Sequence, residues 1–279
     1  MKSVIVGLIQ PQLVADNRQN ARHIESLIEQ AMALNAQILC LPERWYHVDY
    51  MNRNLETNLQ ESHGEQYQLV QSWAKKYHIS IISGGIWESR KPDKPKICCY
   101  YFNCHGQECF CQEKIHLYGL EKQWFQSGSK ITVFHDSALD ISFSILICFD
   151  LNISSDLAKL AVMNGAEVLF SPTLIRDIGV DNWNIYIRSR ALENRVPLVS
   201  CNSILKILDR EFKGQSKIIQ FKTGVHSPVH LIVDELDDKP GILVKTLELD
   251  FPNEIRKERL EEAAISEHIT IEKKASNCN

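Results

Sequence analysis

Three polar residues share one kind of position in this chain: each stands at or just past the end of an apolar run. Glu43 follows ILCLP, Lys114 sits in CFCQEKIHL, and Cys148 closes SILIC. A carboxylate, an ammonium and a thiol brought together make a nucleophilic centre that needs no histidine. The thiolate is the nucleophile and the carboxylate can take its proton. The ammonium can hold the charge that develops when sulfur attacks a carbonyl or nitrile carbon. Each residue also has a plainer reading. Glu43 can cap a turn, Lys114 can be a solvated strand-end charge, and Cys148 can fill core, as free cysteine usually does. Taken singly, each residue favours the plainer reading; what sets the three apart is that α/β sheets place their reactive groups at the carboxyl ends of strands, where distant segments converge.

That convergence requires a particular set of elements. Val4 to Gln10 is a β-branched apolar strand ended by Pro11, and Asp16 or Asn17 can cap a helix to about Leu34 with Ala21, Ile24, Leu27, Ile28 and Ala31 at helical spacing. Gln37 to Leu41 is a second strand, giving a strand–helix–strand unit with a parallel pair. Residues 46–63 are a polar loop of the length often found at active-site walls. Gly64 to Tyr77 reads as a helix and Ile79 to Trp87 as a strand with Gly84 and Gly85 marking a close approach or a bulge. Lys91 to Lys96 is a proline-broken turn, and 97–104 with 108–115 a hairpin around Gly106. A loop rich in glycine and aromatics precedes strands at 131–135 and 141–148; in the second, Ile141, Phe143, Ile145 and Ile147 alternate with Ser142, Ser144 and Leu146. A helix from Ser155 to Met163, a strand from Ala166 to Ser171, a helix from Asp181 to Asn194 and a strand from Val196 to Cys201 follow. Further strands run through 213–250, then a helix from Asn253 to Glu262 and a tail over about 265–279. There is no linker and no short-period repeat, so residues 1–279 read as one α/β domain.

Composition narrows the class. The 279 residues are 44% hydrophobic and 24% charged with a formal net charge of −4, an ordinary soluble balance that does not point to nucleic acid or an anionic membrane. No apolar run approaches the ~20 residues of a membrane helix. The opening MKSVIVGLIQPQ lacks a small-residue cleavage site and reads as a first strand. Nine scattered cysteines fit a reducing cytoplasm better than a secreted disulfide framework.

LPERW around Glu43, EKIHLYGLEKQWFQSGS around Lys114 and ICFD around Cys148 resemble the three catalytic blocks of the nitrilase, or carbon–nitrogen hydrolase, superfamily. NGAEVLFSP (164–172), IRSRALENRVPLVSCN (187–202) and KGQS (213–216) are similar to its supporting segments, in the expected order along nearly the whole chain. The resemblance implies an αββα sandwich that pairs as αββα–αββα with a second copy, a homodimer or higher even oligomer in the cytoplasm, and no cofactor. It implies Glu43 as general base, Cys148 as nucleophile, and Lys114 with the Phe149 backbone N–H as oxyanion hole. Glu121 matches the second glutamate of many amidase-type members. Cys148 is followed by Phe149-Asp150 rather than the Trp-Glu of nitrile-cleaving members, which implies an amidase or carbamoylase branch acting on a small amide. Nitrile hydrolysis, acyl transfer from the same site, and a silent ligand-binding scaffold stay open.

The chain departs from the family where the usual Cys-x-Asp-x-Arg-Phe-Pro-Glu should continue. Asn152 stands in place of the arginine and the Phe-Pro-Glu is absent. In members that have it, that arginine supports the nucleophile loop. Substrate contacts are expected from Trp45, Tyr46, Tyr118 and Trp124 beside the catalytic blocks, and from Asn152, Thr173 and Arg176; a guanidinium at 176 could hold a carboxylate. Aromatic packing and a surface arginine explain these equally well. The thiols at 98, 99, 104, 109 and 111 with His105 lack the paired spacing of a zinc knuckle, so no metal is expected. IRKERLEE (255–262) is most simply a solvated helix face.

Overall fold

The structure is a computed structural model that describes residues 2–46, 58–207 and 209–262, the last three by backbone alone. β1 (Ser3–Gln10) leads to α1 (Asn17–Ala33), whose start is fixed by Asp16 accepting the Gln19 N–H at 3.0 Å. Next come β2 (Ile38–Cys40), α2 (Glu65–Tyr77), β3 (Ser80–Ile82), β4 (Ile86–Arg90), β5 (Asp93–Phe102) and β6 (Glu108–Glu113). α3 (Glu121–Trp124), β7 (Val133–Asp136), β8 (Ile141–Ile145), α4 (Phe149–Asn152), α5 (Asp156–Met163) and β9 (Val168–Pro172) follow. The remaining elements are α6 (Val180–Asn194), β10 (Leu198–Cys201), β11 (Ile204–Ile207), β12 (Arg210–Lys213), β13 (Lys217–His226), β14 (Val229–Glu235), β15 (Gly241–Glu248) and α7 (Asp250–Glu262).

Two mixed sheets result. The first runs β15-β1-β2-β3-β5-β4 with β6 on the other side of β5; the second runs β14-β13-β10-β9-β8-β7. β1, β2 and β3 are parallel in one, and β8, β9 and β10 in the other. Period-two alternation sorts their side chains into three layers of core. Val4, Val6 and Leu8 of β1 join Phe143, Ile145, Phe170 and Val199 between the sheets. Ile9 turns the other way, to Ile24, Ile28, Val70 and Trp73 of α1 and α2. On the far side, Leu169 and Leu198 meet Ala158, Ala161, Trp183 and Ile187 of α5 and α6. The order helix, sheet, sheet, helix is therefore the expected sandwich. Each of the fully buried aliphatic side chains contributes about 1.5–3 kcal/mol, which welds the two sheets face to face.

Several boundaries differ from the sequence reading. The stretch 79–87 divides into β3 and β4, and both pair with β5: Ile82 faces Tyr101 and Ile86 faces Cys98, so four steps on one side match three on the other. The bulge falls at Ser83–Gly85, where Gly84 has φ +74° and a β-carbon would collide with the Pro42 carbonyl oxygen. The turn predicted over 91–96 is shorter, because β5 begins at Asp93. β8 stops at Ile145, three residues before Cys148. The β11–β12 hairpin and the short α3 and α4 were not anticipated, and α7 starts at Asp250 rather than Asn253. Most of the predicted loop 46–63, and the tail at 265–279, lie outside the described residues. Among the described residues no helix is long and apolar enough to cross a membrane.

Candidate active site

The carboxyl ends of the parallel strands of both sheets meet, and the predicted residues stand there. Glu43 follows β2, Lys114 follows β6, and Cys148 follows β8. At the cleft a backbone hydrogen bond crosses from sheet to sheet: the Glu43 N–H donates to the Thr173 carbonyl at 3.2 Å. Beside it the Cys148 N–H donates to the Pro172 carbonyl at 2.9 Å. The Glu43 stem lies on the bulge, where a β-carbon on Gly85 would come within 2.8 Å of Glu43 Cγ. Glycine at 85 thus leaves room for the carboxylate.

Lys114 is 1% exposed and holds two acids. Its Nζ lies 2.9 Å from Glu43 Oε1 and 3.0 Å from Glu121 Oε2. Glu121, at the start of α3, also accepts the Tyr118 N–H at 2.8 Å. Burial works against the ammonium, but the charges of Glu43, Glu121 and Cys148 outweigh it and hold the Lys114 pKa well above the usual lysine range. Burial raises the Glu121 carboxyl above its ordinary value, with Lys114 pulling the other way. Burial first, then the Glu43 charge, pushes the Cys148 thiol well above its usual range, against Lys114 and a hydrogen bond from the Leu174 backbone. Both burial and the neighbouring Glu43 charge thus favour the protonated thiol at Cys148.

The nucleophile segment is held by backbone. Cys148 has φ 47° and ψ −103°, a left-handed conformation that costs a residue with a β-carbon about 1–3 kcal/mol and persists where surroundings enforce it. The enforcing group is Asp150, 1% exposed, which the sequence reading did not single out. Its carboxylate accepts the N–H groups of Ile147 at 3.2 Å, Ile115 at 3.1 Å and His116 at 2.6 Å, with His116 Nδ1 at 3.6 Å. One side chain therefore pins the cysteine strand end to the lysine strand end. Burial raises Asp150 to about 7, with the His116 N–H and Lys114 pulling it down. At the other end of α4, Arg190 of α6 donates from Nε to the Leu151 carbonyl at 3.1 Å and from Nη2 to the Asn152 carbonyl at 3.4 Å. A guanidinium thus reaches the nucleophile loop from α6, although position 152 carries none. Within α4, the Asp150 and Leu151 N–H groups bond to Ile147 and Cys148 carbonyls, and no described acceptor takes the Phe149 N–H.

The remaining predicted contacts divide. Tyr118 is 63% exposed with its ring 5.1 Å from Phe149, and Trp124 lies 6.4 Å from Trp87, in the cluster against which Cys148 packs. Trp45 and Tyr46 do not line this site. They are buried in the outer core with α2, Trp45 lying tilted against Trp73 with ring centres 5.5 Å apart and donating Nε1–H to the Ser83 carbonyl at 2.9 Å. Arg44, with φ 55°, turns the chain between Glu43 and Trp45 and explains the reversal. Thr173 is buried and its hydroxyl donates to the Cys201 carbonyl at 2.9 Å, so its side chain serves the strand end. Asn152 gives its carbonyl to Arg190. Arg176 is half-buried, two residues beyond Leu174, at the start of a 3-10 turn. Asp150 could have been found from a buried run ending in Cys-x-Asp; Leu174 and Arg190 carry no local signal for their roles.

The chain thus combines two mixed sheets with an acid–lysine–acid cluster beside a cysteine that follows a strand. Residues 5–228 match the family model described as Carbon-nitrogen hydrolase, and the chain belongs to that family. It is 27% identical over 265 residues to the Schizosaccharomyces pombe protein named "Probable nitrilase", covering 92% of this chain and 93% of that one. A Saccharomyces cerevisiae member of branch 10 of the nitrilase superfamily superposes with a TM-score of 0.79 at 22% identity, covering 92% and 94% of the two chains. A mutant of the amidase from Nesterenkonia sp., solved with the acetamide moiety of fluoroacetamide added covalently at its active-site cysteine, superposes with a TM-score of 0.72 at 21% identity over 93% and 96%.

Proposed function

We propose that this protein is a cysteine hydrolase that cleaves the C–N bond of a small amide or carbamoyl compound. The observation that carries the reading is the buried Lys114 ammonium clamped between Glu43 and Glu121, with the Cys148 thiol close enough to feel all three charges. Glu43 takes the thiol proton as the sulfur bonds to the carbonyl carbon. The oxygen that becomes negative is met by Lys114 Nζ and the Phe149 N–H, donors that are fixed before the reaction begins. Glu43 returns the proton to the nitrogen, the C–N bond breaks, and ammonia or an amine departs. The thioester left on Cys148 is attacked by water that loses its proton to Glu43. The acid is released and that proton returns to sulfur. Glu121 keeps Lys114 aimed at the oxyanion. Phe149-Asp150 after the cysteine and the amidase relative with a covalent adduct at its cysteine support an amide over a nitrile.

The whole chain is read as one catalytic domain acting in the cytoplasm, which the eight free cysteines among the described residues fit. Ile153, Leu160, Met163, Ile185 and Leu192 are exposed on α5, α6 and the loop before them, and this apolar face supports pairing with a second copy. The test is ammonia release from a panel of ω-amides, carbamoyl compounds, aliphatic amides and nitriles. Turnover of amides by the wild type and none by Cys148→Ala is expected. Turnover of nitriles alone would replace the amide reading, and no release from any compound would favour a silent scaffold.

A further inference from the structure

A buried donor near the reacting groups has no partner. Trp87 of β4 is 8% exposed, and its Nε1, closed off from solvent, meets no acceptor among the described residues. A buried indole N–H without an acceptor costs stability, and a buried tryptophan usually finds one. Phenylalanine would fill the layer without that cost. The donor therefore calls for a partner from outside the fold.

Its surroundings tie it to the catalytic groups from three sides. Trp87 pairs with Ile97, and the Ile97 carbonyl accepts the Lys114 N–H at 2.8 Å, so the three stand in one row across β4, β5 and the end of β6. Trp87 and Ile97 both turn into the layer between the sheets, the layer against which Cys148 packs. Glu121 at the start of α3 reaches Lys114 at 3.0 Å, and Trp124 and Phe125 at its end set their rings 6.4 Å and 4.7 Å from Trp87. Arg44, the residue after Glu43, has its guanidinium carbon 3.5 Å from the Trp87 ring centroid. The cation covers the face of the ring, whereas the N–H projects in the ring plane. A positive charge at that distance favours an electron-rich acceptor at the N–H.

We propose that Trp87 is a specificity-determining residue of this site: its indole N–H donates to an oxygen that the substrate carries away from the scissile amide. The preferred substrate is then a linear amide with a second carbonyl, or a carboxylate, further along its chain. An oxygen there satisfies the donor on binding, whereas a plain alkyl chain leaves it buried and unpaired, and the difference between the two is the discrimination. No step of the reaction proposed above uses Trp87, so its effect falls on KM rather than kcat. The inference rests on the amide reading of Cys148.

Levulinamide, succinamate and pentanamide are of one length and differ in the far oxygen. Ammonia release from the three is compared between the wild type and Trp87→Phe, with thermal melts to check that the variant folds. The wild type should prefer the two oxygen-bearing amides, and Trp87→Phe should raise their KM by about tenfold while kcat and the turnover of pentanamide hold. Equal rates on all three in the wild type, or an equal loss on all three in the variant, would overturn the proposal. Binding is also read without turnover, in Cys148→Ala, from the indole N–H signals of the five tryptophans by NMR. The signal missing in Trp87→Phe should move on addition of levulinamide and stay still with pentanamide. If it ignores levulinamide, the proposal fails. If it moves while the wild type releases no ammonia from any amide, the reaction assigned to Cys148 fails and the acceptor-binding role of Trp87 stands.

Discussion

The two sides of the cleft are built by different means. On the side of the first sheet, Glu43, Lys114 and Glu121 hold one another through charge, side chain against side chain. On the side of the second sheet, Cys148 is held by main chain: its own N–H, the three N–H groups gathered by Asp150, and the two carbonyls taken by Arg190. The division suits the proposed chemistry. In that reading the charged groups move protons and meet an oxyanion, and charge holds them close without locking each atom. The sulfur attacks along one line, and backbone geometry fixes that line.

The comparison predicts unequal outcomes on the two sides. Cys148→Gly removes the sulfur and the strain together: ammonia release should fall by at least about four orders of magnitude. Thermal unfolding should rise by the equivalent of ~1 kcal/mol, because glycine accepts the left-handed backbone. A loss of stability would mean that Cys148 is not strained. Lys114→Met leaves two buried carboxylates facing each other and should cost about 3–5 kcal/mol in denaturant melts along with all measurable turnover; a stable variant would show that Glu43 and Glu121 do not depend on it.

Asp150 supplies a test by pH. Its folded-state pKa, about 7, lies above its ordinary 3.8, so the folded protein keeps a proton that the unfolded chain has released. Its contribution to stability is fully present below pH ~4 and is lost as pH rises toward 7, by about 1.4 kcal/mol per unit and ~4 kcal/mol in all. Asp150→Asn should flatten that part of the stability profile and lower kcat about 10–100-fold. Parallel profiles for the two proteins would remove Asp150 from this role. The smallest effect is expected from Arg190→Met, which leaves the Leu151 and Asn152 carbonyls without their donor: about 1–3 kcal/mol and a drop in kcat of up to roughly tenfold, with KM little changed. A larger change in KM would place Asn152 in contact with substrate.

What could be read from sequence follows the same divide. Glu43, Lys114, Glu121 and Cys148 were legible because polar residues at apolar strand ends are conspicuous, and their surrounding blocks match the family. The main-chain brace was not, since a carboxylate that collects N–H groups from three separate places has no spacing of its own. Adjacency to Glu43 points Trp45 and Tyr46 to the pocket, and one left-handed residue, Arg44, sends them to the opposite face. The β11–β12 hairpin alternates correctly but lacks the glycine turn that reveals hairpins. The layers themselves were legible, because strands and helices alternate from β1 to β3 and again from β8 to β10, and each carries its own apolar face.

The N–H that passes from Glu43 to the Thr173 carbonyl gives the molecule a built-in gauge. Its solvent exchange is blocked only while the two sheets keep their spacing at the cleft. If the strand ends part while the layers behind remain packed, this amide should exchange with deuterium well before those of the central strands. A protein inactivated by mild heat could then be recognised as one whose sheets have separated at the cleft, with the rest of its fold intact.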